Sequence, residues 1–272
     1  MGDWTPADRR FSELPLRLAS ALVLIPLALG AVWMGGIWLA AACAAFAYVM
    51  MLEWCGMSAA ARPRIQAVFG AVFGLSLAAN VAWLPVAALL GGVVFAVRTA
   101  HKGPGARLTA AFGVVYVYAM VGALYGLREG PWDGRAAALY FMSFVWASDA
   151  AAYFVGRALR GPRLLPSESP NKTWSGALGA VIACTICGYF AAGIEQVDRG
   201  IWIMTGVGIS IVAQAGDLFE SGLKRRFRVK DSGTILPGHG GLLDRVDGLG
   251  AVSLAGCLAL AAIPGFSLAL GF

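Results

Sequence analysis

From residue 16 to residue 270 the chain strings together nine apolar runs, each close to the length that crosses a lipid bilayer: about 16–34, 36–53, 65–79, 81–97, 108–127, 136–156, 175–194, 201–220 and 249–270. Hydrocarbon offers backbone N–H and C=O groups no partners, so such runs must close their hydrogen bonds inside helices. Composition points the same way. Hydrophobic residues make up 59% of the chain and charged residues 13%, where a soluble domain carries about a quarter charged. Mean hydropathy is +0.72. The expected fold class is an all-α polytopic integral membrane protein with about nine transmembrane helices. The first run follows Arg9, Arg10 and Arg17 as a secretory signal would, but it is long and no small-residue cleavage site follows it, so it is read as a permanent helix.

Lys and Arg in short loops collect on the cytoplasmic side of a membrane protein. With nine spans, all of the 21 basic residues except Arg128, Arg135 and Arg199 fall on one side. That asymmetry predicts a cytoplasmic N-terminus and an outside C-terminus. The net charge of +6 then belongs to a face that meets anionic headgroups or phosphorylated solutes, not to a nucleic-acid binder. Cys184 and Cys187 have C-x-x-C spacing but no second pair or neighbouring His to complete a metal site. Gly70/Gly74 and Gly122/Gly126 have G-x-x-x-G spacing, which permits close helix contact within the chain or in a homodimer.

The chemistry is unevenly distributed. Residues 1–140 read as an N-terminal transmembrane scaffold, and residues 141–272 as a catalytic transmembrane half with cytoplasmic motif loops. No internal repeat of the kind common in transporters stands out. Three constellations occupy the second half. Asp149, Tyr153 and Gly156 recur at i, i+4 and i+7 on one helix face, and a carboxylate there must meet protein or water. In 166–180, Ser169-Pro170 suggests a turn, Thr173 or Ser175 can cap a helix, and Lys172 stands beside that helix N-terminus, an arrangement suited to phosphate oxygens. In 212–248, Gln214, Asp217, Ser221 and Lys224 form a polar stripe on an apolar helix. Beyond it come Lys230-Asp231, the glycine-rich turn at Gly238-His239-Gly240-Gly241, and Asp244 and Asp247 one helical turn apart. Acidic oxygens suit hard divalent cations, Lys and Arg suit phosphate charge, and glycines let backbone approach a ligand.

The run Ser221-x-x-Lys224-Arg225-x4-Lys230-Asp231-x-Gly233-x2-Leu236-Pro237-x-His239-Gly240-Gly241-x-x-Asp244-Arg245-x-Asp247 resembles the signature of phosphatidate cytidylyltransferases, or CDP-diacylglycerol synthases. Ser148-Asp149, Tyr153-Phe154, Gly156-Arg157, Ser169-Pro170, Lys172-Thr173 and Gly176 are similar to further motifs of that family. The likeness covers the catalytic half; the N-terminal half is similar in hydropathy alone. One departure is the basic linker at 157–165, where the family more often has a shorter Gly-Lys turn.

The resemblance implies that CTP and phosphatidic acid give CDP-diacylglycerol and pyrophosphate. It also implies Mg2+, with room for a monovalent ion such as K+ beside it. The lipid phosphate is the nucleophile, so the site must cancel repulsion between two anions and align them. On this reading Asp217 and Asp244 hold Mg2+, assisted by Asp247 or Asp231, while Lys224, Arg225, Lys230 and Arg245 neutralise phosphate charge. Ser169, Lys172 and Thr173 cradle phosphate, Asp149 supports the metal or a ligand, and Ser221, His239, Gly240 and Gly241 complete the substrate-binding set. The expected location is the plasma (inner) membrane, multi-pass, among membrane lipids, with the active site facing the cytoplasm. Two other readings stand beside it: a cytidylyltransferase for a different lipid, and a transporter using the same polar stripes as a path. A CDP-alcohol phosphatidyltransferase is disfavoured, because Asp247-Gly248 lacks the Ala-Arg and acidic pair that its spacing requires.

Overall fold

A computed structural model describes residues 22–79, 81–101, 103–235 and 240–272. The elements in order are α1 (Leu22–Met34), α2 (Gly36–Ser58), α3 (Pro63–Ser76), α4 (Trp83–Thr99), α5 (Pro104–Glu129), α6 (Gly134–Leu159), β1 (Arg163–Leu165), β2 (Ser169–Thr173), α7 (Trp174–Glu195), α8 (Arg199–Arg226), α9 (Leu243–Ala262) and α10 (Phe266–Leu270). The described part of each expected apolar run lies largely on a helix; positions 16–21 of the first run lie outside the described residues, and the last run is divided between α9 and α10. Six of the helices, α2 and α5–α9, are long and apolar enough to cross a membrane. Between 28% (α8) and 50% (α5) of the most apolar stretch of each is covered by the chain itself. The uncovered remainder includes Ile182, Phe190, Met204 and Leu258. Apolar surface on that scale is unfavourable in water and ordinary in lipid, so the chain is a multi-pass membrane protein.

Two boundaries differ from the sequence reading. The last helix begins at Leu243 instead of about 249, because Asp244 and Asp247 lower the hydropathy yet suit the positive end of a helix. It stops before Pro264, whose ring cannot continue a helix, and α10 follows as a separate turn. The stretch 166–173, expected as a loop with a turn at Ser169-Pro170, instead turns at Pro166–Glu168, with Pro170 inside β2. The ladder pairs Arg163 with Thr173 and Leu165 with Ser169. Pro170 is tolerated because this two-stranded ribbon has open edges.

The chain divides into two compact units, Met1–Val115 with Asp231–Asp244, and Tyr116–Lys230 with Arg245–Phe272. In the first, α2 and α3 pack closely. A Cβ on Gly70 would come within 2.9 Å of the Ala47 carbonyl oxygen, and one on Gly74 within 2.5 Å of Ala44 backbone. The expected G-x-x-x-G pair therefore serves an intrachain contact. At the end of α2, Trp54 is buried against Gly113 of α5, its ring 5.6 Å from that of Phe112.

In the second unit, α6, α7 and α8 form a layer. Asp133, Thr173 and Asp198 cap them by accepting the N–H groups of Ala136, Gly176 and Ile201. Between α6 and α8 the buried hydroxyls of Ser148 and Ser210 are 3.1 Å apart. Gly206 packs on the Cys184 carbonyl, and Cys184 Sγ donates to the Phe144 carbonyl at 3.3 Å. Trp202 anchors one end, with Tyr140 at 4.8 Å and Phe272 at 5.6 Å between ring centres.

Candidate active site

Within the second unit, the polar residues of three apolar helices and the β2 strand converge. Lys172, the last residue before the cap of α7, forms an ion pair with Asp217 on α8. Gln214, one turn earlier on α8, donates to Ser210 Oγ at 3.1 Å and to the Ala177 carbonyl at 3.4 Å. Asp149 on α6 lies within electrostatic range of Asp217, Lys172 and Arg245. Asp247 on α9 likewise senses Asp217, Lys224 and Asp149, and its Oδ1 accepts the Gly248 N–H at 2.7 Å. Close packing makes this possible: a Cβ on Gly216 would meet the Ala251 side chain at 2.6 Å and the Asp247 carbonyl oxygen at 3.0 Å.

Lys224, only 9% exposed, pairs with Glu220 at 3.2 Å, and Glu220 is 1% exposed. The i, i+4 spacing joins the two on one helix face. Arg157 donates to the Tyr153 hydroxyl at 3.2 Å. Arg225 Nε donates to the Glu168 carbonyl at 3.2 Å, and its NH1 to the Val229 carbonyl at 3.1 Å. That clamp ties the end of α8 to the hairpin turn. Thr173 caps α7 with its hydroxyl 3.0 Å from that of Ser175, which in turn donates to the Arg160 carbonyl. Ser169 and Ser221 are partly exposed, and Lys230 and Arg245 are exposed.

The first unit holds a second polar centre. Asp244 Oδ2 accepts the N–H of Ser232 at 2.9 Å and of Gly241 at 3.0 Å, so one carboxylate joins the two residues. Gly240 has φ +83°, a left-handed conformation that favours glycine. Asp231 is exposed, with its carboxylate carbon 3.9 Å from where a Cβ on Gly240 would stand. Glu53 of α2 accepts the N–H groups of Leu242 at 2.7 Å and Leu243 at 2.8 Å and the Ser232 hydroxyl at 3.3 Å. The close backbone approach expected of the glycines is made here to protein: a Cβ on Gly233 or Gly241 would run into Glu53. His239, with 236–238, lies outside the described residues.

Of the expected metal ligands, Asp217 and Asp247 fall in one unit together with Asp149, and Asp244 lies in the other. Among the described residues no three His, Cys, Asp or Glu side chains are gathered so as to hold an ion by themselves. The donor chemistry nonetheless fits Mg2+, which is commonly held by one or two carboxylates with substrate phosphates and water. Glu53 and Glu220 were not among the expected site residues. Glu220 could have been found from its spacing to Lys224 and its place in an apolar helix; Glu53 carries no local signal beyond being an acid near the end of one.

Residues 15–262 match the sequence profile of the cytidylyltransferase family. The chain is 38% identical over 248 residues to the phosphatidate cytidylyltransferase of Brucella suis biovar 1 (strain 1330), covering 89% of this chain and 91% of that relative. The same holds for the protein so named in Brucella abortus biovar 1 (strain 9-941). A phosphatidate cytidylyltransferase of Staphylococcus haemolyticus (strain JCSC1435) is 46% identical over 117 residues, 42% of this chain and 45% of the relative.

Proposed function

The chain belongs to the cytidylyltransferase family, and from that premise we propose that it transfers the cytidylyl group of CTP to phosphatidic acid, giving CDP-diacylglycerol and pyrophosphate in phospholipid synthesis. A phosphate oxygen of the lipid attacks the α-phosphorus of CTP, the bond from that phosphorus to the bridging oxygen breaks, and pyrophosphate leaves. Both reactants are anions, so charge compensation is the larger part of the task. The observation that carries the reading is the meeting of Asp149, Asp217, Asp247 and Lys224, all on membrane-length helices, with Lys172 of β2. Bare charges do not persist in hydrocarbon without partners.

Lys172 and Lys224 neutralise substrate phosphate and the departing pyrophosphate, with Arg225, Lys230 and Arg245 contributing positive charge at the surface. Asp217 and Asp247 would hold Mg2+, and the resemblance to the family implies Asp244 as a further ligand, with K+ accepted beside it. When bound, the cation withdraws charge from the phosphates and helps align them. Asp149 orients this acidic group from α6, Ser169 and Thr173 place hydroxyls by the phosphates, and Ser221, Asp231, His239, Gly240 and Gly241 complete the substrate contacts. For topology, one crossing for each of α1–α9, with the N-terminus and the motif loops in the cytoplasm and the C-terminus outside, matches the distribution of basic residues. It puts the reaction within reach of soluble CTP at the inner membrane.

The test is incubation of the purified protein in detergent with phosphatidic acid, labelled CTP and Mg2+, with and without EDTA. A lipid-soluble cytidine product that requires both lipid and metal is expected. An intact protein that yields none with several lipid phosphates would overturn the assignment and direct the work to solute flux in liposomes.

A further inference from the structure

The first N–H groups of a helix have no partners within it and are usually capped by a local Ser, Thr, Asp or Asn. At α9 the residues just before and at the start are Gly241, Leu242 and Leu243, which offer no such side chain. The acceptor comes from α2. Glu53, 3% exposed, binds the Leu242 and Leu243 N–H groups and the Ser232 hydroxyl, bridging to residues 179–190 positions away in sequence. The adjacent Trp54 is buried against Gly113, which packs this end of α2. Gly233 and Gly241 lack the Cβ that would displace the carboxylate. These three donors of Ser232, Leu242 and Leu243 are thus satisfied by the Glu53 carboxylate, and its burial leaves it poorly placed to meet substrate.

We propose that Glu53 is a positioning residue for cytidylyl transfer: its carboxylate fixes Ser232 and the Leu242–Leu243 start of α9 in the conformation that the reaction uses. The proposal rests on the function assigned above.

Full-length Glu53→Gln, Glu53→Asp and Ser232→Ala proteins in detergent test it through kcat, KM for CTP, thermal melting and hydrogen exchange of backbone amides. A glutamine side chain turns an NH2 toward donors that need acceptors, so Glu53→Gln should lower kcat roughly 10- to 100-fold, the range expected for losing hydrogen bonds to a charged group. KM for CTP should change far less, and faster exchange should be confined to the amides at and around 232, 242 and 243. Glu53→Asp, which keeps the charge, should recover part of the loss. Ser232→Ala, which removes one of three donors, should show a smaller fall in kcat, and it carries the test if Glu53→Gln does not fold. Wild-type kcat in Glu53→Gln, or a loss matched by faster exchange throughout the chain, overturns the proposal. If the unaltered protein makes no cytidine lipid, the assigned reaction fails; exchange at 242 and 243 then decides the anchoring alone, and unchanged rates in Glu53→Gln reject it.

Discussion

Lys172 and Asp217 form an ion pair between the last residue before the cap of α7 and the interior of α8. Neither side chain is fully enclosed, at 27% and 37% exposure, so the pair stays open to a phosphate or a metal ion that would compete for either partner.

Asp217→Asn is expected to lower turnover roughly 100-fold or more, as loss of a charge-stabilising group does in other enzymes, while the protein remains folded in detergent. Lys172→Met should also be slow. In the double variant the two effects should fall short of adding, with a coupling of about 0.5–3 kcal/mol typical of contacting residues. Turnover measured on the four proteins decides this; near-native activity of Asp217→Asn would remove it from the metal set.

Asp244 holds Ser232 and Gly241 together, and the proposed reaction gives it a second duty at the metal. Asparagine can leave a carbonyl oxygen facing the Ser232 and Gly241 N–H groups, so Asp244→Asn should melt close to the parent yet turn over very slowly. Asp244→Ala leaves those donors without their acceptor and should in addition lose about 1–3 kcal/mol of stability. Equal activity in Asp244→Asn and the parent would confine Asp244 to holding the segment together.

Gly241→Ala introduces a Cβ 1.9 Å from Ser232 Oγ and 2.8 Å from the Gly233 backbone nitrogen. Backbone cannot yield as a flexible side chain can, so the segment must shift. A cost of about 1–3 kcal/mol is expected for such overpacking, together with a fall in kcat. A thermal melt and a turnover assay that both match the parent would contradict the described approach.

Gly74→Leu places a large side chain where Ala44 backbone already lies. The melting temperature in detergent should fall clearly, and the change should be seen in the monomer. A variant with unchanged melting but altered oligomeric state would mean that Gly74 faces another copy of the chain instead of α2.

Much of the helical frame was legible because continuous apolar runs leave few alternatives, and the positions of α2 through α8 follow those runs within several residues. The start of α9 was less so: Asp244, Arg245 and Asp247 look like loop to a hydropathy scan, yet a helix N-terminus is a favourable place for carboxylates. The β1–β2 ribbon was hidden because Ser169-Pro170 reads as a turn and proline is uncommon in strands. Asp149 and Asp217 could be singled out because charge inside an apolar run needs a reason, Lys224 because it continues the polar stripe of Asp217, and Asp247 by its one-turn spacing from Asp244. Glu53 could not, since what gives it a role is a set of backbone donors 189 and 190 residues further along, and no periodicity in α2 reports them. The pairing of Arg225 with two carbonyls was equally invisible, because a guanidinium in a basic stretch looks the same whether it meets phosphate or protein.

Thr173 does more than close the end of a helix. Its hydroxyl accepts the Gly176 N–H and so marks where α7 begins, and Lys172 is counted back from that mark by a single residue. The ammonium therefore keeps its address on α8 through two local restraints, this cap and the pairing of Thr173 with Arg163 of β1. One residue added between Lys172 and Thr173 would put the charge out of step with Asp217. The basic linker at 157–165 shares in that restraint, because its Arg163 is the partner of Thr173 and its Arg160 carbonyl accepts from Ser175.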